Sequence, residues 1–192
     1  LLDSGREYIG VLIGCNAQGD VLWERSDLLM SSRSGGRLQR VWNNQNLFVN
    51  ANDGIHEFDP ISGKDEDFFP LKSSADDFVV NSQFILARDR RTISLIEMST
   101  KKVSVFEAPS RVEGMGLVPN SATAYFVSAQ YSVEKRSYTI YKWNFHQLSP
   151  PLGSTTNYGN DRGTFEKFSM DSQGRFTIVD SKSYRLFDQD GN

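Results

Sequence analysis

Apolar residues in this chain come in short runs, and polar positions alternate with them at every second residue. Tyr138-Thr139-Ile140-Tyr141-Lys142-Trp143 and Ile55-His56-Glu57-Phe58 carry the pattern, in which neighbouring side chains point to opposite faces of a strand. In the second run Ile55 and Glu57 share one face, and His56 and Phe58 the other. Clusters of Gly, Asn, Asp, Ser and Pro break the pattern about every ten residues. No stretch shows the 3.6-residue apolar spacing of an amphipathic helix. The best helix candidate, Ser26 to Ser31, is a single turn at most. The pattern predicts an all-β protein.

One unit recurs. It is a short apolar strand, a turn, a second strand, a polar loop, a third strand, a turn bearing Gly or Lys, and a fourth strand. In residues 37–71 the strands are Arg37–Trp42, Leu47–Asn50, Ile55–Phe58 and Asp67–Leu71. Asn52-Asp53-Gly54 and Asp59-Pro60-Ile61-Ser62-Gly63-Lys64 are the turns, with Pro presetting φ and Gly accepting positive φ. Residues 77–109 repeat the unit with Phe78–Val80, Phe84–Ala87, Thr92–Met98 and Val103–Glu107, and Arg88–Arg91 as the loop. Residues 111–152 repeat it with Ala124–Val127, a longer loop from Gln130 to Arg136, and Tyr138–Trp143. Partial copies occupy residues 1–28 (Ile9–Cys15 and Val21–Glu24) and 163–192 (Phe165–Met170, Arg175–Val179 and Tyr184–Phe187). The turn after the third strand recurs near Gly19, Gly63, Lys101, Ser149 and Gly191, at intervals of about 38 to 48 residues, the range of four-stranded propeller blades. The expected fold is therefore a β-propeller of four-stranded antiparallel blades, either one domain or an arc of a larger propeller. A sandwich or jelly roll is the rival all-β reading, which the regular four-strand units disfavour. The raw edge of an open arc favours a piece of a larger ring over a small closed one.

The stretch Asn46-Leu47-Phe48-Val49-Asn50-Ala51-Asn52-Asp53-Gly54-Ile55-His56-Glu57-Phe58-Asp59-Pro60 resembles the repeat of two-component-regulator propellers. That repeat has an apolar-aromatic pair, a loop ending in Gly, and a strand closing on Asp-Pro. Asp171-Ser172-Gln173-Gly174-Arg175-Phe176-Thr177-Ile178-Val179 is similar to its first turn and second strand. Phe48 and Phe176 stand where the family usually has Trp, and Val49-Asn50-Ala51 replaces its apolar-Gly-Thr step. Gly19-Asp20-Val21-Leu22-Trp23 is similar to the Gly-x-x-x-Trp ending of quinoprotein-type repeats. WD and kelch signatures are absent. The resemblance to regulator propellers implies a sensing or protein-interaction module, extracytoplasmic in a bacterium.

Composition narrows the classes. At 38% hydrophobic and 23% charged residues the chain can bury a core. With a net charge of −3, and Lys and Arg scattered among acids, it lacks the basic stripe of a nucleic-acid binder. Cys15 is the only cysteine, so no intrachain disulfide forms, which suits a reducing cytosol and a periplasm alike. The longest apolar run, Tyr8 to Cys15, is too short to span a membrane. Neither a signal peptide nor an Asn-x-Ser/Thr acceptor is visible. The compartment expected is the periplasm or outside the cell, with the cytoplasm as the alternative.

Chemistry-bearing groups are sparse. His56 and His146 lack the spacing of a metal motif and are expected to be structural. Cys15 is expected to be a buried structural thiol, since a nucleophile needs a base beside it. Gly10 with Gly14, and Gly114 with Gly116, lack the third glycine and following helix of a phosphate loop. Asp65-Glu66-Asp67 and Asp76-Asp77 read as solvated turn charge. Asp188-Gln189-Asp190-Gly191-Asn192 reads as a turn rather than a calcium loop. Ser169 to Gly174 lies close to the Asp-box of sialidase-type propellers, itself a structural turn. Trp23, Trp42, Trp143, Tyr125, Tyr138 and Tyr141 are expected to pack between blades. No catalytic residue, metal or cofactor is expected.

In a propeller the loops joining strands two and three share one face with the loops joining successive blades. They carry Asn50, Asn52, Asp53, Arg88, Asp89, Arg90, Lys135, Arg136, Asp180 and Lys182, which form the candidate ligand- or partner-binding face. Arg88 and Arg90 suit a carboxylate or phosphate group. The expected function is a non-catalytic binding, sensing or protein-interaction module. Its partner would be another protein, a small ligand or a glycan, without nucleic acid and without membrane insertion. The alternatives are part of a propeller enzyme of glycosidase, lyase or lactonase type, with the site mostly outside this chain, or a structural repeat in a larger assembly.

Overall fold

The computed structural model describes residues 8–30, 40–43, 46–131, 136–144, 147–148, 152–158, 165–171, 173–180 and 184–188, and every regular element among them is a β-strand. The chain divides into two compact units, Leu1–Phe78 and Val79–Asn192.

In the first unit β1 (Tyr8–Cys15) and β2 (Val21–Met30) form a two-stranded antiparallel sheet. β3 (Arg40–Asn43), β4 (Asn46–Asn50), β5 (Gly54–Phe58) and β6 (Asp65–Pro70) form a four-stranded sheet in chain order. The core between them holds Leu12, Leu28, Leu47, Val49, Ala51 and Phe58, with Trp23 packed against it. Three sequence expectations are corrected here. Ser26 to Met30 continues β2 instead of starting a helical turn. The register slips by one residue between Gly10↔Leu28 and Leu12↔Arg25, and this bulge hides the alternation from the sequence. Cys15 is exposed, because alternation sets it with Val11 and Ile13 on the face opposite the buried Leu12. Asp65-Glu66-Asp67 opens the outer strand β6, which starts two residues before the expected Asp67, and so is not turn charge. Acids and Pro70 on such an edge discourage pairing with a foreign strand.

The turns are closed by short polar side chains. Asn16 Oδ1 accepts the Gln18 and Asp20 amides at 3.0 and 2.9 Å. Asp59 Oδ1 accepts the Ile61 amide at 2.9 Å, and its Oδ2 accepts the Ser62 hydroxyl at 2.6 Å. Those bonds, the Ser62 hydroxyl foremost, hold the Asp59 carboxyl below its ordinary pKa. Gly63 completes that turn at φ 69°. The Trp23 indole lies against Gly63 and Gly14, where a Cβ would come within 2.5 and 2.2 Å of the ring, and its N–H donates to Pro60 O at 2.9 Å.

The second unit begins within β7 (Asp77–Val80), so Asp77 too stands in a strand rather than a turn. β7, β8 (Phe84–Asp89), β9 (Thr92–Glu97) and β10 (Lys102–Glu107) make a four-stranded sheet. β11 (Arg111–Leu117), β12 (Thr123–Tyr131) and β13 (Arg136–Asn144) follow. The fourth place of that sheet is shared by β14 (Gln147–Leu148) and β15 (Leu152–Tyr158), which pair with opposite ends of β13. The sequence repeat, ended at Leu152, misses β15. In the sequence Pro150-Pro151 reads as the end of a strand, since proline has no N–H to give a ladder, and Gly153-Ser154-Thr155-Thr156-Asn157 carries no apolar alternation. β16 (Phe165–Met170), β17 (Phe176–Asp180) and β18 (Tyr184–Phe187) make a three-stranded sheet.

β12 shows how the sheets of this unit stack. Ala124, Tyr125, Phe126 and Val127 are all buried. Ala124 and Phe126 meet Phe84, Leu86, Ile93 and Leu95 of the preceding sheet in one core. Tyr125 and Val127 meet Phe168, Met170, Phe176 and Ile178 of the following sheet in another. Gly116 lets that last sheet close in, since a Cβ there would lie 2.7 Å from Phe168. Small antiparallel sheets of consecutive strands, stacked face to face, are β-propeller blades.

Candidate ligand-binding loop face

In the first unit the candidate residues lie in the β4–β5 turn. Asn50 is buried and its Nδ2 donates to Ala75 O at 2.7 Å. The Leu71 amide donates to Asp53 O at 3.1 Å. Both bonds tie the turn to the segment that leads out of β6. Asn52 is half-buried and Asp53 is exposed at the tip. Asp53 Oδ1 stands 3.1 Å from His56 Nε2. His56 Nδ1 stands 3.7 Å from Asp65 Oδ1, and the ring packs between Phe58 and Phe68. The His56 ring thus lies within the sheet between an acid of the turn and an acid of β6.

Asp65 continues a charge ladder that sequence reasoning missed. Its Oδ2 meets Arg25 Nη1 at 3.0 Å. Arg25 grips Asp27 with two bonds of 2.8 and 2.7 Å and lies over the Phe58 ring. The bond from Arg25 holds the Asp27 carboxyl down at about 2. The bond to Asp27 in turn raises Arg25, burial opposing. Nothing in the sequence signals a partner for Arg25 that lies forty positions further on, in another sheet.

In the second unit the β8–β9 turn is fastened in the same way. Arg88 and Asp89 are half-buried, whereas Arg90 and Arg91 are exposed. Arg88 Nη1 donates to Val112 O. The Val112 amide donates to Arg90 O at 2.9 Å, and the Ala108 amide to Arg91 O at 2.8 Å. Arg91 Nε donates to Ala108 O at 3.1 Å. Arg90 is left-handed at φ 54°, a conformation that costs a residue with a Cβ about 1–2 kcal/mol. Arg111, the residue before Val112, is 62% exposed, with Nε 3.4 Å from Glu113 Oε1. Arg91 and Arg111 were absent from the sequence-derived set. Arg91 was legible as a neighbour of Arg90, but Arg111 reaches the turn only through the pairing of Val112.

Arg136 opens β13 opposite Tyr131, and Arg111 pairs Ala129 across β12. The register therefore puts Arg111 and Arg136 at the same end of one sheet. Asp180 ends β17 opposite Phe165. Lys135 and Lys182 lie outside the described residues, as do His146 and residues 189–192. The candidate residues of each turn are thus brought together, Asn50, Asn52 and Asp53 in one unit, Arg88, Asp89 and Arg90 in the other. Asp171 behaves as a turn residue. Its Oδ1 accepts the Gln173 and Arg175 amides, each at 2.9 Å, and its Oδ2 accepts Arg175 Nε at 2.7 Å. Among the described residues no group of three or more His, Cys, Asp and Glu is placed to hold a metal ion.

No protein-family model and no curated protein matches the chain. Among solved structures it is similar to hydrazine synthase of Kuenenia stuttgartiensis, with a TM-score of 0.55 and 12% identity over 75% of this chain and 43% of that one. It is also similar to the N-terminal domain of Nup159, with a TM-score of 0.51 and 10% identity over 87% of this chain and 46% of that one. Both are propeller-like, and at such identity the likeness concerns the fold alone. The chain spans less than half the length of either.

Proposed function

We propose that the chain is a non-catalytic binding module of the propeller class, and that the turns between second and third strands are contact sites, each within its own unit. One observation carries this reading. The β4–β5 and β8–β9 turns are each clasped to the segment leading to the next sheet, yet keep charged tips in solvent: Asp53 in one, Arg90 and Arg91 in the other. Charged loop tips held rigid by a scaffold are where recognition concentrates. Asn50 frames the first turn through Ala75 and Arg88 the second through Val112, while Asn52 and Asp53 of the one and Arg90 of the other offer the contacts. The repeat is of the two-component-regulator kind, a reading supported by the turns at Asn52-Asp53-Gly54 and Asp59-Pro60. Its role is sensing or protein interaction.

The test is native mass spectrometry of the full-length natural protein purified from its own host. Asn52→Ala with Asp53→Ala, and Arg90→Ala with Arg91→Ala, are expected to lose the bound protein or small ligand. Ser62→Ala and Ser99→Ala, in the turns after third strands, are expected to keep it. The reverse pattern would overturn the reading.

A further inference from the structure

The sheet of β7 to β10 ends in an unused ladder. We propose that β10 pairs antiparallel with β10 of a second copy of this chain, about a two-fold axis at Val105. The proposal is independent of the loop-face reading above.

Backbone direction comes first. β10 ends its sheet, with β9 as its one neighbour among the described strands. The Ala108 amide, just past β10, donates to Arg91 O at 2.8 Å, on the β9 side. In an antiparallel ladder the backbone groups of successive residues point to alternate sides. Ser104 and Phe106 therefore bond to β9, while Val103, Val105 and Glu107 turn their N–H and C=O groups away from it. Among the described residues no other element takes up those groups.

This edge also lacks the guards of its counterpart. β6, the outer strand of the other four-stranded sheet, opens on Asp65-Glu66-Asp67, slips in register between Glu57 and Phe58 and ends in Pro70. β10 pairs with β9 without a slip from Lys102 to Glu107. It holds no proline, and no charge between its two end residues. Val103 and Val105 are 41% and 55% exposed. From the other face Phe106 packs against Phe126 and Trp143 and holds the strand in place. A regular, apolar edge of this kind is a template for a further strand.

The occupant follows from the way the edge matches itself. A two-fold interface needs a patch that is its own complement. Residues opposite each other in a sheet share a face, so the axis must pass through a residue rather than between two. With the axis at Val105, Val105 meets Val105 of the second copy and Val103 meets Glu107 of the second copy. Every outward N–H then faces an outward carbonyl. The strand is basic at its start, Lys102, and acidic at its end, Glu107, and both are exposed. Antiparallel pairing sets Lys102 beside Glu107 of the second copy, at each end of the ladder. Parallel pairing would set like charges together. This match of charge and hydrogen bonding favours a second copy over an unrelated strand.

The experiment is sedimentation equilibrium of the full chain from about 1 μM to about 1 mM, with amide exchange followed at both ends of that range. A monomer–dimer equilibrium is expected. Exchange should slow at Val103, Val105 and Glu107 as the dimer forms, while Ser104 and Phe106 are protected throughout. Val105→Lys and Val105→Glu change an exposed side chain. Each alone is expected to weaken association about tenfold or more, because like charges then stand opposite each other at the axis. Mixed in equal amounts, the two variants are expected to dimerise again, since opposite charges then meet. A chain that stays monomeric to the top of the range would overturn the proposal and leave the edge to an extended segment of another protein. A dimer whose exchange slows only elsewhere, or a mixture no more associated than either variant alone, would overturn it as well. The exchange pattern of the unsubstituted chain decides the matter even where a variant fails to fold.

Discussion

At the scale of single residues, backbone sign matters as much as side-chain chemistry. Corresponding turns after third strands put Gly63 at φ 69° and Lys101 at φ 57°. Glycine takes this conformation freely, and lysine pays a steric penalty for it. Lys101→Gly is therefore expected to stabilise the protein by about 0.5–1 kcal/mol, the relieved clash less the extra chain entropy of glycine. Urea unfolding should show a higher midpoint at unchanged slope, and a lower midpoint would contradict the argument. The sequence made both turns legible, because Asp-Pro-x-Ser-Gly and Ser-Thr-Lys-Lys read as turns by composition. It did not show that Lys101 sits in a conformation meant for glycine, since lysine is ordinary in a turn and only φ reveals the misfit. Cys15 teaches the same lesson. The apolar run around it argued for burial, while a strand of alternating faces needs only half of such a run inside.

Between elements, fastening depends on side chains that reach across sheets. Asn81 is buried at the turn between β7 and β8. Its Oδ1 accepts the Gln83 and Phe84 amides at 2.9 and 2.8 Å, and its Nδ2 donates to Val118 O and Ser121 O, each at 3.0 Å. It closes its own hairpin and grips the β11–β12 turn at once. Asn81→Ala leaves several buried polar groups unmatched and is expected to destabilise by about 2–3 kcal/mol. Amide exchange of Phe84 should quicken along with the loss in urea midpoint; protection unchanged at Phe84 would argue against the grip. Strands such as Phe84–Asp89 were readable from apolar period, but this clasp was not. Its partners lie almost forty positions away and are backbone carbonyls, which no residue type announces. The candidate turns share that limit. Sequence placed Asn50 at the end of its strand and Arg88 in the loop after its own, whereas Arg88 belongs to β8, and the structure uses both to hold their turns in place.

Over the whole chain, the fold was legible because both faces of most inner strands are apolar, as stacking between two neighbours demands. Polar links between sheets add a dependence on pH. Arg25 joins Asp27 of its own strand to Asp65 of the next sheet. The Asp27 carboxyl has a folded-state pKa of about 2, below the ordinary 3.8. A depressed carboxyl contributes stability that is present above its unfolded pKa and lost as pH falls through the folded one. The contribution of Asp27 should therefore fade between about pH 4 and pH 2. The Asp27 side chain is 63% exposed, so its share at neutral pH is below about 1 kcal/mol. Unfolding of the protein and of Asp27→Asn, followed from pH 7 down to about pH 2, should show their stabilities converging as acid is added. A gap that stays constant would place the stabilising role of Asp27 elsewhere than in its charge.

The indole of Trp23 acts as a key for registration. The slot at Gly14 and Gly63 takes the flat ring because neither residue carries a Cβ, and the Pro60 carbonyl stands at the position of the indole N–H. If β2 slid by two residues it would present Val21 or Arg25 to that slot, one too short to reach the carbonyl and the other unable to lie between the glycines with its charge beside Asp27 and Asp65. The hairpin of β1 and β2 thus has one seat on its neighbour where an ordinary greasy interface would tolerate several, and the order of strands is protected against slippage by the shape of one side chain.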